Sequence, residues 1–198
     1  MELLPTVVAS GWASGVNAYL CVAMLGLLGR FGGVEAVPEV LTRTDVLLVA
    51  AALYLVEFVA DKVPYLDSAW DAAHTVVRPA IGAALGALLA GDASSLEQAL
   101  LATTGGVTAL ASHAVKAGLR AAVNTSPEPA SNVVVSTAED LTVAGVISLS
   151  VVEPWIAAGL AATLLVIGIV LVVLALSRIR KARAAYRERR RRSQISRT

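Results

Sequence analysis

Hydrophobic positions in this chain fall in long blocks, not in short alternating runs. A helix that crosses a bilayer needs about 20 mainly apolar residues, and six blocks approach that length. Residues 155–177, WIAAGLAATLLVIGIVLVVLALS, carry no charge; they follow Pro154, begin at Trp155 and end at a basic run. Residues 133–152 are apolar except around Glu139 and Asp140. Residues 96–122 carry His113, Lys116 and Arg120 in their second half, and residues 46–63 stay apolar up to Glu57 and Asp61. Residues 5–29 hold Gly11, Gly15 and a polar SGVN. Residues 71–90 are the weakest block, with His74, Arg78 and Pro79 in their first part. The pattern predicts an all-α, polytopic transmembrane helical bundle of about six spans. Residues 1–177 read as one transmembrane domain and 178–198 as a basic cytoplasmic tail.

Composition agrees with a lipid solvent. The chain has 198 residues, 57% hydrophobic and 16% charged, with a mean hydropathy of +0.72. A soluble domain has about a quarter charged residues. A disordered chain, a nucleic-acid-binding domain and an ordinary cytosolic enzyme are excluded. The one cysteine, Cys21, rules out an internal disulfide and any multi-cysteine metal site. The N-terminus shows no signal-peptide pattern, so the first block is expected to stay as a membrane helix.

Charge changes the picture because it is segregated. Residues 178–198 hold ten Lys and Arg and one acid, Glu188; residues 1–177 hold six basic and fourteen acidic residues. A basic run after an apolar helix reads as a cytoplasmic anchor on anionic lipid headgroups. No nucleic-acid partner is expected. Six spans put both termini on one side, and the positive-inside rule makes that side the cytoplasm. The protein is then expected in a membrane with both termini on the cytoplasmic side. Dense small residues (Gly82, Ala83, Ala84, Gly86, Ala87, Gly105, Gly106) predict close helix packing and admit a homo-oligomer.

Ionisable groups inside spans are costly, and they usually pair or serve a function. Here they fall on helical faces. Glu57 and Asp61 are four apart; Asp67, Asp71, His74 and Arg78 form one stripe; so do His113, Lys116 and Arg120, and Asn132, Ser136 and Glu139 with Asp140 adjacent. In the predicted topology all four groups lie toward the cytoplasm and converge on one polar cavity open to that side. Two Pro-containing stretches, 61–71 and 124–132, read as helix breaks. They are either cytoplasmic turns or re-entrant segments lining a cavity.

Three chemistries fit this inventory. One is a substrate pathway: Lys116, Arg120 and Arg78, with Asn17, Asn124 and Asn132, bind an anion, while Glu57, Asp61, Asp67, Asp71, His74, His113, Glu139 and Asp140 couple a proton or ion. Another is a divalent metal, with Asp67, Asp71 and His74 as weak candidate ligands. The third is lipid-headgroup chemistry using His113 or His74 as acid–base. No nucleophile elbow, zincin motif or phosphate loop is present, so no catalytic residue and no cofactor can be named. The bland alternative is structural: the acids pair with Lys62, Arg78, Lys116 and Arg120 and hold the bundle together.

At these same residues the sequence resembles a known family. SGVNAY (14–19), LLGR (27–30), VEFVADKVPYLDSAWDAAHTVVRP (56–79), SHAVKAGLRAAVNTSPEPASN (112–132) and AED (138–140) are similar to the bacterial membrane family catalogued as domain of unknown function 4126. The likeness runs from about residue 5 to 175. It implies a membrane location and marks Asn17, Glu57, Asp61, Lys62, Asp67, Asp71, His74, Arg78, His113, Lys116, Arg120, Asn124, Glu128, Asn132, Glu139 and Asp140 as family-defining. It implies no activity. The leading expectation is a small transporter or lipid-flippase-like permease for an anionic or lipid-phosphate substrate. The alternatives are an accessory or scaffold subunit of a larger membrane complex, and an intramembrane lipid-headgroup enzyme.

Overall fold

The computed structural model describes residues 3–63, 65–124 and 129–195, and these are all-helical, with no strand. Seven helices follow one another among them: α1 Leu4–Gly32, α2 Glu39–Thr42, α3 Thr44–Ala60, α4 Leu66–Leu89, α5 Ser95–Val123, α6 Pro129–Val152 and α7 Pro154–Ile195. Four of them (α1, α4, α6 and α7) are long and apolar enough to cross a membrane. The chain is thus built as a membrane protein. Of the other long helices, α3 has only 17 residues and α5 buries His113, Lys116 and Arg120.

Boundaries differ from the sequence pattern in three places. The block starting at 71 begins five residues earlier, at Leu66, because Asp67, Asp71, His74 and Arg78 all fall on one buried helical stripe that continues through Gly82, Leu85, Gly86 and Leu89. Pro79 sits inside that helix. The 30–45 connection contains the one-turn helix α2, whose Leu41 is buried beside α1. The basic tail is helical too: α7 continues from the apolar block to Ile195. Pro64 and residues 125–128, including Glu128, lie outside the described residues; α3 ends at Ala60 and α4 begins at Leu66 on one side, and α5 ends at Val123 and α6 begins at Pro129 on the other.

Helix α1 is the centre of the bundle and touches each of the others, while α4 and α5 form the most extensive pair. Small residues make these approaches possible. A Cβ on Gly15 would collide with Ser112 and the Ala109 carbonyl of α5, and one on Gly105 would collide with the Gly82 carbonyl of α4. On α5 the buried face runs Leu101, Gly105, Ala109, Ser112, His113, Lys116, Arg120. Both stripes are small and apolar at one end and ionic at the other. Antiparallel packing through the short 90–94 connection therefore brings the two ionic ends together.

The main apolar core lies between α1, α6 and α7 around Trp12, Cys21, Leu25, Val143, Ile147 and Ala157. Buried Cys21 is a packing residue there, its Sγ 3.5 Å from the Ser10 carbonyl.

Candidate functional site

The site begins with a break in α1. Asn17 has φ −147° and ψ 97°, an extended residue inside a helix. Its Oδ1 accepts from the Leu20 backbone N–H at 3.0 Å, three residues on, so Asn17 is the N-cap of the second half of α1. Leu20 N–H no longer bonds the Val16 carbonyl, and that orphan must find a donor, because an unsatisfied carbonyl in a low-dielectric interior costs several kcal/mol, about the penalty for a polar group without a partner. Lys116 Nζ supplies it at 2.9 Å, and Arg78 Nη1 approaches the Gly15 carbonyl at 3.4 Å. The first half of α1 thus ends on two buried cations from α5 and α4.

Those cations anchor an ion network drawn from four helices. Arg78 donates to Glu57 Oε1 at 2.7 Å and lies 2.9 Å from Asp71 Oδ1. Lys116 donates to Asp61 Oδ2 at 2.6 Å and has Glu57 at 3.6 Å, Glu139 at 3.7 Å and Asp71 at 4.0 Å. Arg120 donates to Glu139 Oε2 at 2.5 Å and to the Asp61 carbonyl at 2.7 Å, and reaches Asp61 Oδ2 at 3.3 Å and Asp67 at 3.6 Å. Arg78, Arg120, Glu57 and Asp67 have no solvent exposure.

Neutral partners extend the network. Asp67 accepts from the side-chain amides of Asn124 (2.9 and 3.0 Å) and Asn132 (3.2 Å). Asp140 accepts from Asn17 Nδ2 at 2.9 Å. Lys62 has no carboxylate within ion-pair range among the described residues; it lies over the Phe58 ring and donates to Ser136 at 3.2 Å.

The histidine tautomers follow from their neighbours. Arginine only donates. His113 Nδ1, 2.9 Å from Arg78 Nη1, is therefore the acceptor, and Nε2–H faces Thr75 Oγ1 at 3.3 Å. This ring is neutral, with its lone pair already engaged. His74 Nδ1–H donates to the Trp70 carbonyl at 2.8 Å, and Nε2 meets the Tyr19 hydroxyl at 2.9 Å. His74 also stacks on Trp70. Neither ring hydrogen-bonds a carboxylate among the described residues.

A cavity of about 350 Å³ reaches the network from the side, between α1, α5, α6 and α7. Its walls are chiefly apolar (Trp12, Val16, Val115, Leu119, Leu164, Ile167, Leu171), and among the described residues Lys116 and Glu139 are the only charged ones that line it. This differs from the polar-lined chamber expected from the stripes, because the polar side chains turn toward one another and leave the apolar flanks of their helices to form the wall.

A family model described as a domain of unknown function (DUF4126) matches residues 4–174. The chain belongs to this family. No curated protein and no solved structure matches it. In this DUF4126 chain the fourteen residues singled out by cost and spacing do come together: Asn17, Glu57, Asp61, Asp67, Asp71, His74, Arg78, His113, Lys116, Arg120, Asn124, Asn132, Glu139 and Asp140 all lie in or against the network. The metal candidates Asp67, Asp71 and His74 do not form a ligand set; among the described residues no three His, Cys, Asp or Glu side chains are placed to hold a metal ion. Asp67 instead turns to the two asparagines, and His74 to the two aromatics.

Sequence reasoning missed Ser14, Ser112, Tyr19, Trp70 and Thr75. Ser112 donates to the Trp12 carbonyl at 2.8 Å and Ser14 to the Arg78 carbonyl at 3.0 Å. Ser112 was readable from its spacing, since it lies four residues before Lys116 and eight before Arg120 on one face.

Proposed function

We propose that the protein is a small membrane permease for an amphipathic substrate with an anionic head, of the lipid-phosphate class. The observation that carries this reading is the apolar cavity ending on Lys116 and Glu139. Its rim residues Val134, Ile167 and Leu171 are exposed on helices apolar enough to cross a membrane. An acyl chain enters along such a wall, and its headgroup meets the edge of the ion network. A break in mid-helix beside a buried ionic cluster is also how many transporters build a site at membrane depth.

In this reading all six long helices cross the bilayer. Helix α5, with 29 residues, is about 43 Å long at 1.5 Å per residue, and its charges face the bundle rather than lipid. Helix α3, about 25 Å long, spans with help from its flanking polar ends. Both termini then lie in the cytoplasm of a bacterial inner membrane, and the basic end of α7 rests against anionic headgroups. Lys116 exchanges its carboxylate partners for the substrate's anion during the cycle, with Arg120 following.

The test is translocation of a fluorescent phospholipid in proteoliposomes. Wild type is expected to accelerate it several-fold over empty vesicles. Ala138→Trp, which fills the cavity from an exposed position on α6 and removes no side chain of the network, is expected to abolish the acceleration while the protein stays folded. Equal rates with and without the protein would overturn the reading.

One observation favours a second reading. Arg78, Lys116 and Arg120 each already contact carboxylates, as they would in a scaffold or accessory subunit where the network only holds the bundle together. That reading predicts a stoichiometric protein partner and no substrate-dependent change.

A further inference from the structure

The ion network is out of balance. Five carboxylates (Glu57, Asp61, Asp67, Asp71 and Glu139) share three cations (Arg78, Lys116 and Arg120) within 4 Å. Fully ionised, the set carries two surplus negative charges, and its members are buried or nearly so. An imidazolium at His74 would remove only one of them, and His113 is held neutral by Arg78. Uncompensated buried charge is strongly unfavourable in protein and more so inside a bilayer.

The unsatisfied atoms show where the imbalance is concentrated. Asp67 has its amide donors, Asp61 Oδ2 has Lys116 and Arg120, and Glu139 has Arg120. Asp61 Oδ1 receives no hydrogen bond, but its Oδ2 is held by two cations; Asp71, 2% exposed, receives none on either oxygen, and Glu57 receives none on Oε2. Both carboxyl groups face the same guanidinium, Arg78. The other charged and titratable groups around the pair are Tyr54 on α3, Asp61 and Lys62 at its end, Asp67 and His74 on α4, His113, Lys116 and Arg120 on α5, Glu139 and Asp140 on α6, and the Tyr19 hydroxyl on α1 through His74; Lys62 and Asp140 carry opposite charges and leave the balance unchanged.

We infer that Glu57 and Asp71 form a proton-binding pair, two carboxyl groups that share one guanidinium and hold a proton between them. Glu57 Oε2 and Asp71 Oδ2, the oxygens turned away from the Arg78 contacts, are the atoms that carry it. The pair then presents one negative charge to Arg78, and the net charge of the network falls by one. Two carboxyl groups in such a relationship titrate as a unit. The inference stands on the charge balance and does not need the permease reading. If that reading holds, it names the proton as the coupling ion and Glu57–Asp71 as the place where it is carried.

Infrared spectroscopy of the protein in lipid nanodiscs tests this directly. At neutral pH the wild type is expected to show the C=O stretch of a protonated carboxylic acid, moving to lower frequency in D2O. The band is expected to disappear in both Glu57→Gln and Asp71→Asn, because each leaves a single carboxylate facing Arg78, and a lone carboxylate there ionises. No such band in wild type at neutral pH would overturn the proposal. So would a band that persists undiminished in both variants. A melting temperature that rises in sodium chloride but not in choline chloride, with no band, would assign the balancing charge to a metal cation instead and equally overturn it. The wild-type spectrum decides the matter even where a variant fails to fold, and it involves no transport. A failed flux assay with the band present removes the permease reading alone.

Discussion

Lys116 Nζ donates to the Val16 carbonyl at 2.9 Å while holding Asp61 at 2.6 Å. One side chain on α5 therefore closes both the break in α1 and the end of α3. Removing it leaves a carbonyl and up to four carboxylates without their shared cation. Breaking a buried ion pair from one side costs about 3–5 kcal/mol, so Lys116→Ala is expected to lower the thermal midpoint in detergent by well over 5 °C, at roughly 2–4 °C per kcal/mol for a chain of this size. A midpoint within a degree of wild type would mean that the network does not hold the bundle.

Asn17 works through both ends of its amide. Its oxygen caps the second half of α1 and its nitrogen donates to Asp140. Asn17→Ala is expected to lose the cap, about 1 kcal/mol, together with the Asp140 bond. Asn17→Asp keeps the capping oxygen but sets a second carboxylate against Asp140, and is expected to be less stable than Asn17→Ala. Thermal melts of the two variants give the order, and the reverse order would contradict the assigned geometry.

Helix contact at the glycines is as tight as the backbone allows. Gly15→Ala and Gly105→Ala are expected to destabilise by about 1–3 kcal/mol, because the new methyl meets a backbone carbonyl of the neighbouring helix. Gly145→Ala is the control. Nothing lies within 4 Å of its Cβ, and alanine is the better helix former by about 1 kcal/mol. It is expected to leave the melt unchanged or to raise it.

How much of this was legible in the sequence depends on whether the cause was local. The stripe Asp67, Asp71, His74 and Arg78 was readable because helical spacing and the cost of burial act on one segment. The convergence of α3, α4, α5 and α6 followed from placing every stripe toward the same end. The break at Asn17 was not readable, because Lys116 and Arg78 stabilise it from other helices. The orientation of the cavity was hidden for the same reason: pairing turned the charged faces inward and left apolar flanks to line it. The continuation of α7 to Ile195 was not readable from the apolar pattern, which stops at residue 177.

Filling the cavity separates ligand binding from folding. Ala138 lines the cavity on an exposed face of α6, so Ala138→Trp is expected to melt within a few degrees of wild type while losing bound lipid. Parallel melts and lipid extraction from the purified variant check both halves. Lipid retained at the wild-type level would place the ligand elsewhere.

Native mass spectrometry of the protein extracted gently from its own membrane is the most direct measurement of the central claim. It weighs bound lipid and bound protein together. A permease for a lipid-phosphate substrate is expected to keep at least one phospholipid per chain, lost in Ala138→Trp. A lipid-free chain in fixed stoichiometry with another protein would contradict that account and identify the network as the internal support of a complex.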